Sequence, residues 1–173
     1  MEPERNVMAV LQKITPFLWF DSPAEEAARF YVSIFRNSGI GTIIRYGKEG
    51  FEAHGRPAGS VLTVTFRLEG QEFTALKGGP HYKFNQAVSF LVRCETQAEI
   101  DYYWVKLREG GDEKAQQCGW LKDKYGLSWQ IVPAGLQAML ADGDVEMVDR
   151  VIKAIMGMRK PEMAALRQAF HGT

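Results

Sequence analysis

The sequence predicts an α+β fold: two copies of a strand–helix–strands module, followed by a helical tail. Three observations carry this. Phe17-Leu18 recurs as Phe90-Leu91, Glu26 as Glu99, and Phe30-Tyr31 as Tyr103-Trp104, all at an offset of 73 positions. Each copy passes from a short β-rich run to a helical stripe and then to further β-rich runs. Beyond Pro133-Ala134-Gly135 only helical periodicity remains. The first module spans 12–79, the second 84–133, and the helical extension 136–171. Either module alone leaves a sheet face bare, so the two are expected to pair, with curled sheets enclosing a cleft.

The first module opens on Ile14 to Phe20, an apolar strand ending at Asp21-Ser22-Pro23. Asp21 or Ser22 is placed to cap a helix, with Pro23 at its first position and Glu25 and Glu26 near its positive end. Ala24, Ala27, Ala28, Tyr31, Ile34 and Phe35 give the buried stripe. The spacing predicts strands at 40–46, 60–68 and 72–77. A glycine-rich loop spans 47–59, and Glu69-Gly70 makes a hairpin turn. In the second module Ala87 to Val92 reads as a strand. Thr96 and Glu99 have capping-box spacing, and Ile100, Tyr103, Trp104 and Leu107 form the stripe. Short strands at 119–122 and 127–132 flank a turn at Asp123-Lys124-Tyr125-Gly126, read as solvated together with Lys122. In the tail, Ala138 to Met158 is helical with a break and cap at Asp142-Gly143-Asp144, and Pro161 opens a last helix.

Composition narrows function. The 173 residues carry 21 Lys plus Arg and 21 Asp plus Glu. A balanced chain offers no field to hold a polyanion, so no nucleic-acid partner is expected. No apolar run approaches the roughly 20 residues that span a bilayer, so no membrane partner is expected. Met1 to Asn6 is polar, and Val7 to Leu11 is too short for a secretory signal. A cytoplasmic chain with Cys94 and Cys118 reduced is the expectation. Two cysteines and three scattered histidines do not make a zinc site. No Gly-x-Gly-x-x-Gly, Gly-Lys-Ser/Thr loop, His-Glu-x-x-His or Gly-x-Ser-x-Gly occurs, so no classical nucleotide cofactor is expected.

Several side chains can still carry chemistry. Cys118, with Lys122 nearby in sequence, has the makings of a thiolate nucleophile, or it is a small buried residue. Trp19, Trp120 and Trp129 offer flat apolar walls, or they are core. Gln130 alternates with Trp129 and Ile131, so it shares a side with Ser128 and Val132 and needs a partner there. Lys77, Asn85 and Ser89 are further polar candidates. His54 and His81 sit in loops.

These stretches resemble a known family. They are Trp19-Phe20-Asp21, Glu25-Glu26-Ala27-Ala28, Phe30 to Phe35, Ala75 to Pro80, Phe84-Asn85 and Ser89-Phe90, with Cys118 to Gly126 and Ser128 to Pro133 the strongest. The chain is similar to the PhnB-like family, often labelled 3-demethylubiquinone-9 3-methyltransferase. That family lies within the vicinal oxygen chelate superfamily of glyoxalases, extradiol dioxygenases and bleomycin-resistance proteins. The resemblance implies paired βαβββ modules around a U-shaped cleft, often in a homodimer. Metal-using relatives place His, Gln or Glu on the first and last strands of each module. The corresponding positions here are Pro16, Ser89, one near Thr74, and Gln130. Only Gln130 is a serviceable ligand, so no bound metal is expected. Nothing resembles the Rossmann-type cradle of common S-adenosylmethionine enzymes.

The expected function is therefore metal-independent binding of a small organic molecule. Trp19, Trp120 and Trp129 would wall the site, and Gln130, Asn85, Ser89 and Lys77 would orient the ligand. The alternative is an enzyme of the glyoxalase and dioxygenase type, or a group-transfer enzyme, acting through Cys118 or Gln130. A third reading makes the C-terminal helices a subunit contact.

Overall fold

In the computed structural model, residues 12–141 and 143–173 are described. The chain divides into two compact units, Met1–Tyr82 and Lys83–Thr173. The apolar run Val7 to Leu11 lies outside the described residues. The fold is mixed α+β, with two β-sheet modules and C-terminal helices.

The first unit runs β1 (Phe17–Phe20), α1 (Ala24–Ile34), β2 (Gly39–Arg45), a single helical turn α2 (Phe51–His54), β3 (Val61–Leu68) and β4 (Gln71–Lys77). Its sheet has the order β1-β4-β3-β2. β1 lies parallel to β4, and the other pairs are antiparallel. Strand alternation sends Leu18, Phe20, Val64, Phe66, Phe73 and Ala75 to the buried face. Fully buried Ala24, Ala27 and Ala28 keep the contact side of α1 small. Tyr31 stacks on Phe66 at 6.1 Å, and Phe66 on Phe73 at 5.3 Å. Glu69 (φ 48°) and Gly70 (φ 82°) are both left-handed, the geometry that suits a two-residue hairpin. The α1 cap differs from expectation. The helix begins at Ala24 with Pro23 in the cap position, and neither Asp21 nor Ser22 makes a side-chain cap. Proline lacks an N–H, but its carbonyl accepts from Ala27 at 2.7 Å and starts the helix.

The second unit runs β5 (Ser89–Cys94), α3 (Gln97–Arg108), β6 (Trp120–Lys122) and β7 (Ser128–Pro133). The sheet order is β5-β7-β6, with β5 parallel to β7. This repeats the connectivity of the first unit, with β5, β6 and β7 in the places of β1, β3 and β4. The counterpart of β2 is not a strand. Residues 109–119 instead form a turn, a short 3-10 helix at Glu113–Ala115 and a single bridge from Gln117 to Trp120. Gly111 passes so close to the Lys122 carbonyl that any side chain at 111 would collide with it. Thr96 caps α3 by accepting from the Glu99 amide at 3.2 Å. Glu99 reaches back, but to the Glu95 amide (2.7 Å) rather than to that of Thr96.

The repeat holds in the helices and slips in the strands. Tyr31 and Trp104, and likewise Ile34 and Leu107, are buried equivalents at the 73-residue offset. In the strands that offset pairs buried Leu18 with Leu91, which is 44% exposed. The cause is the link from strand to helix. It is Asp21–Pro23 in the first unit but only Glu95–Thr96 in the second. One residue fewer turns every strand side chain to the other face.

The tail consists of α4 (Leu136–Leu140), α5 (Val145–Met156) and α6 (Met163–His171). Asp144 caps α5 by accepting from the Met147 amide at 3.1 Å; Asp142 lies outside the described residues. α6 opens at Met163, two residues after the expected Pro161. Its first turn is capped from α3, where Gln97 accepts from the Met163 amide (2.8 Å) and donates to the Pro161 carbonyl (3.1 Å). Arg150 on α5 donates to the Ala169 and Phe170 carbonyls at the other end of α6. Among the described residues, no helix is long and apolar enough to cross a membrane.

Lys160 pairs with Asp101 on α3 and with Glu162 at 3.1 Å. The Lys160 hydrogen bond holds the Asp101 carboxyl below its ordinary 3.8, and the same bond holds Lys160 above 10.5. A lowered acid stabilises above 3.8, and that contribution is lost as pH falls through the folded value. A raised base stabilises below 10.5, and that contribution is lost as pH rises through the folded value. Both groups are partly exposed, so the pair contributes about 0.5 kcal/mol. Urea unfolding of Asp101→Asn should show a smaller stability loss between pH 7 and pH 3 than the parent. Parallel pH curves would refute the assignment.

Candidate functional site

The β6–β7 hairpin is organised by one carboxylate. Asp123 is 2% exposed, not solvated as the turn sequence suggests. Its Oδ1 accepts from the Tyr125 amide (2.9 Å) and the Leu127 amide (3.0 Å). Its Oδ2 accepts from the Trp129 indole at 2.8 Å. Three donors replace the lost water, which is why a charge can sit there. The Asp123 amide also bonds the Leu127 carbonyl, and Gly126 (φ 86°) supplies the left-handed step that closes the turn.

That hairpin sets the register of a polar sheet face. Lys122 stands opposite Ser128, and Trp120 opposite Gln130. On the other side of β7, Ser89 stands opposite Ser128, and Leu91 opposite Gln130. Leu121, Trp129 and Ile131 alternate to the buried side. Gln130 Nε2 donates to Ser89 Oγ at 2.9 Å, a diagonal pair across β7 and β5. Ser128 is 1% exposed, yet its hydroxyl has no hydrogen-bond partner. Buried hydroxyls are nearly always bonded to protein or to ordered water, and no protein group bonds this one.

The structure therefore brings Ser89, Trp120 and Gln130 onto one face and adds Ser128 and Lys122. Trp129 is on the other face, 3% exposed, tilted against Phe90 (ring centroids 5.6 Å apart) and bonded to Asp123. Asn85 is exposed and closes a local turn by accepting from the Ala87 amide at 2.9 Å. Sequence reasoning noted that Ser128 shares the side of Gln130 but not that its hydroxyl is orphaned. A burial of that kind leaves no sequence signal.

Trp19 and Lys77 belong to the first unit. Trp19 donates to the Gly79 carbonyl (2.8 Å) and meets Tyr82 edge-on at 4.9 Å. Gly78 lies against its ring, where no β-carbon would fit. Lys77 stands in register with buried Phe20, so alternation puts it on the other face from Trp19. Phe17 pairs with Thr74, and Pro16 lends only its carbonyl, to the Thr74 amide. The strand slip moves the position equivalent to Ser89 from Pro16 to Thr15. A bulge at Gly41-Thr42 opposite Thr65 opens a groove of about 470 Å³, lined also by Asn37 and Arg67.

Cys118 holds a left-handed backbone (φ 52°). Its sulfur lies 3.6 Å from Met156 Sδ and 3.8 Å from the Met156 carbonyl, with the Gln117 amide at 3.5 Å. Its amide bonds the Met158 carbonyl and Gly119 the Arg159 carbonyl, so this loop grips the end of α5. Cys94 is fully buried, and burial, with Glu99 nearby, pushes its thiol up to about 12. Among the described residues, no group of three or more His, Cys, Asp and Glu is placed to hold a metal ion.

Comparison with known proteins follows this geometry. The sequence pattern of the family described as 3-demethylubiquinone-9 3-methyltransferase matches residues 12–132. A solved PhnB protein from Bacillus cereus is 41% identical and matches 71% of this chain and 100% of its own, with a TM-score of 0.60. Protein PA1353 from Pseudomonas aeruginosa, 17% identical over 71% of this chain and 98% of its own, shares the fold at a TM-score of 0.53. No curated protein matches.

Two expectations follow. Asp123→Ala should cost about 3 kcal/mol in urea unfolding, because it strands buried donors, and Asp123→Asn should cost less. Equal, near-zero losses would show that the carboxylate does not hold the hairpin. A thiol reagent at pH 8 should modify one cysteine per native chain, and none in Cys118→Ser. Two rapid modifications would contradict the burial of Cys94.

Proposed function

The chain belongs to the PhnB-like family described as 3-demethylubiquinone-9 3-methyltransferase, within the glyoxalase and bleomycin-resistance superfamily, and from that premise we propose that it binds a small organic molecule on the β5–β7–β6 face without a metal ion. The observation that carries this reading is the Gln130–Ser89 pair, two half-buried polar side chains joined across β7 and β5 with Trp120 opposite Gln130. Gln130 is half-buried and already oriented by Ser89, so its carbonyl oxygen is fixed for a ligand without further loss of side-chain entropy. Trp120 supplies a flat apolar neighbour opposite Gln130.

The family description names a methyl transfer, whose usual donor is S-adenosylmethionine. The residues present do not fit the Rossmann-type cradle for that group. Both sheets mix parallel and antiparallel pairs. The glycine pair Gly78-Gly79 that follows β4 runs into Pro80 and not into a helix N-terminus.

The test is a ligand-observed NMR screen of neutral, cationic and anionic metabolites, run with and without a chelator. The proposal expects at least one compound class to bind in chelator, with affinity reduced about tenfold or more in Gln130→Ala. Binding that needs a divalent ion, or no binding by any class, would overturn it.

A further inference from the structure

We propose that the guest on this face is an organic anion, presenting a carboxylate or a comparable oxyanion to Lys122 and a flat apolar body to Trp120. This rests on the binding reading above and gives the ligand its chemical class.

Counted along the register, the face carries Lys122 on β6 and Arg93 on β5 as its charged side chains, and no Asp or Glu. The carboxylate nearest in sequence, Asp123, is committed to three donors within the hairpin. Lys122 and Arg93 make no ion pair among the described residues. The Trp120 indole N–H likewise has no partner among them, unlike Trp19 and Trp129, whose N–H groups are both satisfied.

Hydrogen-bond arithmetic points the same way. Lys122 offers an ammonium with three donors, Trp120 one N–H, and Ser89 a hydroxyl. One N–H of Gln130 Nε2 is spent on Ser89 and the second is left, and its Oε1 is the one strong amide acceptor on the face. Donors outnumber acceptors, so the complementary guest is rich in acceptors and poor in donors. Lys122 has no acid to pair with on this face, so an oxyanion seated at its ammonium is the guest group that answers it. Trp120 stands two residues away on the same strand face and opposite Gln130, the place for an attached ring or hydrocarbon body. A cationic guest would meet like charge with no acid to pair with.

The experiment compares four acids (acetate, benzoate, phenylacetate and indole-3-acetate) with their primary amides, by ligand-observed NMR on the full chain. The acids carrying a ring are expected to bind at least tenfold more tightly than their amides, and acetate least among the acids. Raising salt from 50 to 500 mM should weaken the acids and leave the amides unchanged. Lys122→Gln, with its fold checked by thermal unfolding, should abolish the preference of acid over amide. Should that variant fail to fold, the salt dependence of the parent protein decides the matter alone. Amides equal to acids, or acid binding insensitive to both salt and Lys122→Gln, would overturn the inference. If neutral or cationic compounds bind in a Gln130-dependent way while no acid does, the anion assignment fails and the binding reading stands. If no compound of any class binds, both fail.

Discussion

The second unit depends on a carboxylate placed where the chain turns. Asp123 bonds two amides of its own turn and the indole of Trp129, and it is almost wholly buried. These bonds fix where β6 ends and β7 begins, so they fix which residues stand opposite one another. Had the hairpin closed one residue later, Lys122 and Trp120 would no longer oppose Ser128 and Gln130. The buried charge is thus the reference from which the polar face is measured, although it does not itself lie on that face.

The tail is tied into this unit by polar bonds at its joints. Gln97 on α3 caps α6, Arg150 on α5 closes the far end of α6, and the Gln117–Gly119 loop holds the end of α5. Val151 and Leu166 supply the buried apolar contribution of α5 and α6. The family pattern ends at residue 132, before these helices begin. The tail therefore lies beyond the family pattern, and its anchor points lie within the matched segment, on α3 and on the loop leading into β6.

Local and periodic features were legible in the sequence. The stripes of α1 and α3, the Thr96 cap, the Glu69-Gly70 turn and the Asp144 cap all depend on residues a few positions apart, and all appear as expected. The spacing of Val145, Val148, Val151, Ile152 and Ile155 also suggests a buried face on α5, but Val151 alone of these is buried, and Val145 and Ile152 are exposed. Gln130 was singled out because strand alternation put a polar group beside Ser128, and the structure gives it Ser89 as a partner. Features that depend on distant donors were not legible. Nothing in Asp-Lys-Tyr-Gly announces an indole waiting six residues on, so Asp123 read as solvated. The family's βαβββ pattern implies a strand between α3 and β6 that the run of residues does not offer and the structure does not contain; its segment makes a tight passage over Lys122, which shows in the packing at Gly111.

The shorter link in the second unit bears on how such a duplicated chain diverges. Point substitutions change one side chain at a time, and each must be tolerated where it stands. Removing one residue between a strand and its helix does something different. The helix keeps its seat, as Trp104 and Leu107 do in the places of Tyr31 and Ile34, while the whole strand rotates by half a turn. Residues that once served the core are then offered outward together, and the former outer set is pressed inward. The one-residue difference between the links thereby leaves the helix layer in register at the 73-residue offset while the strand of the second unit presents Ser89 and Leu91 on its outer face.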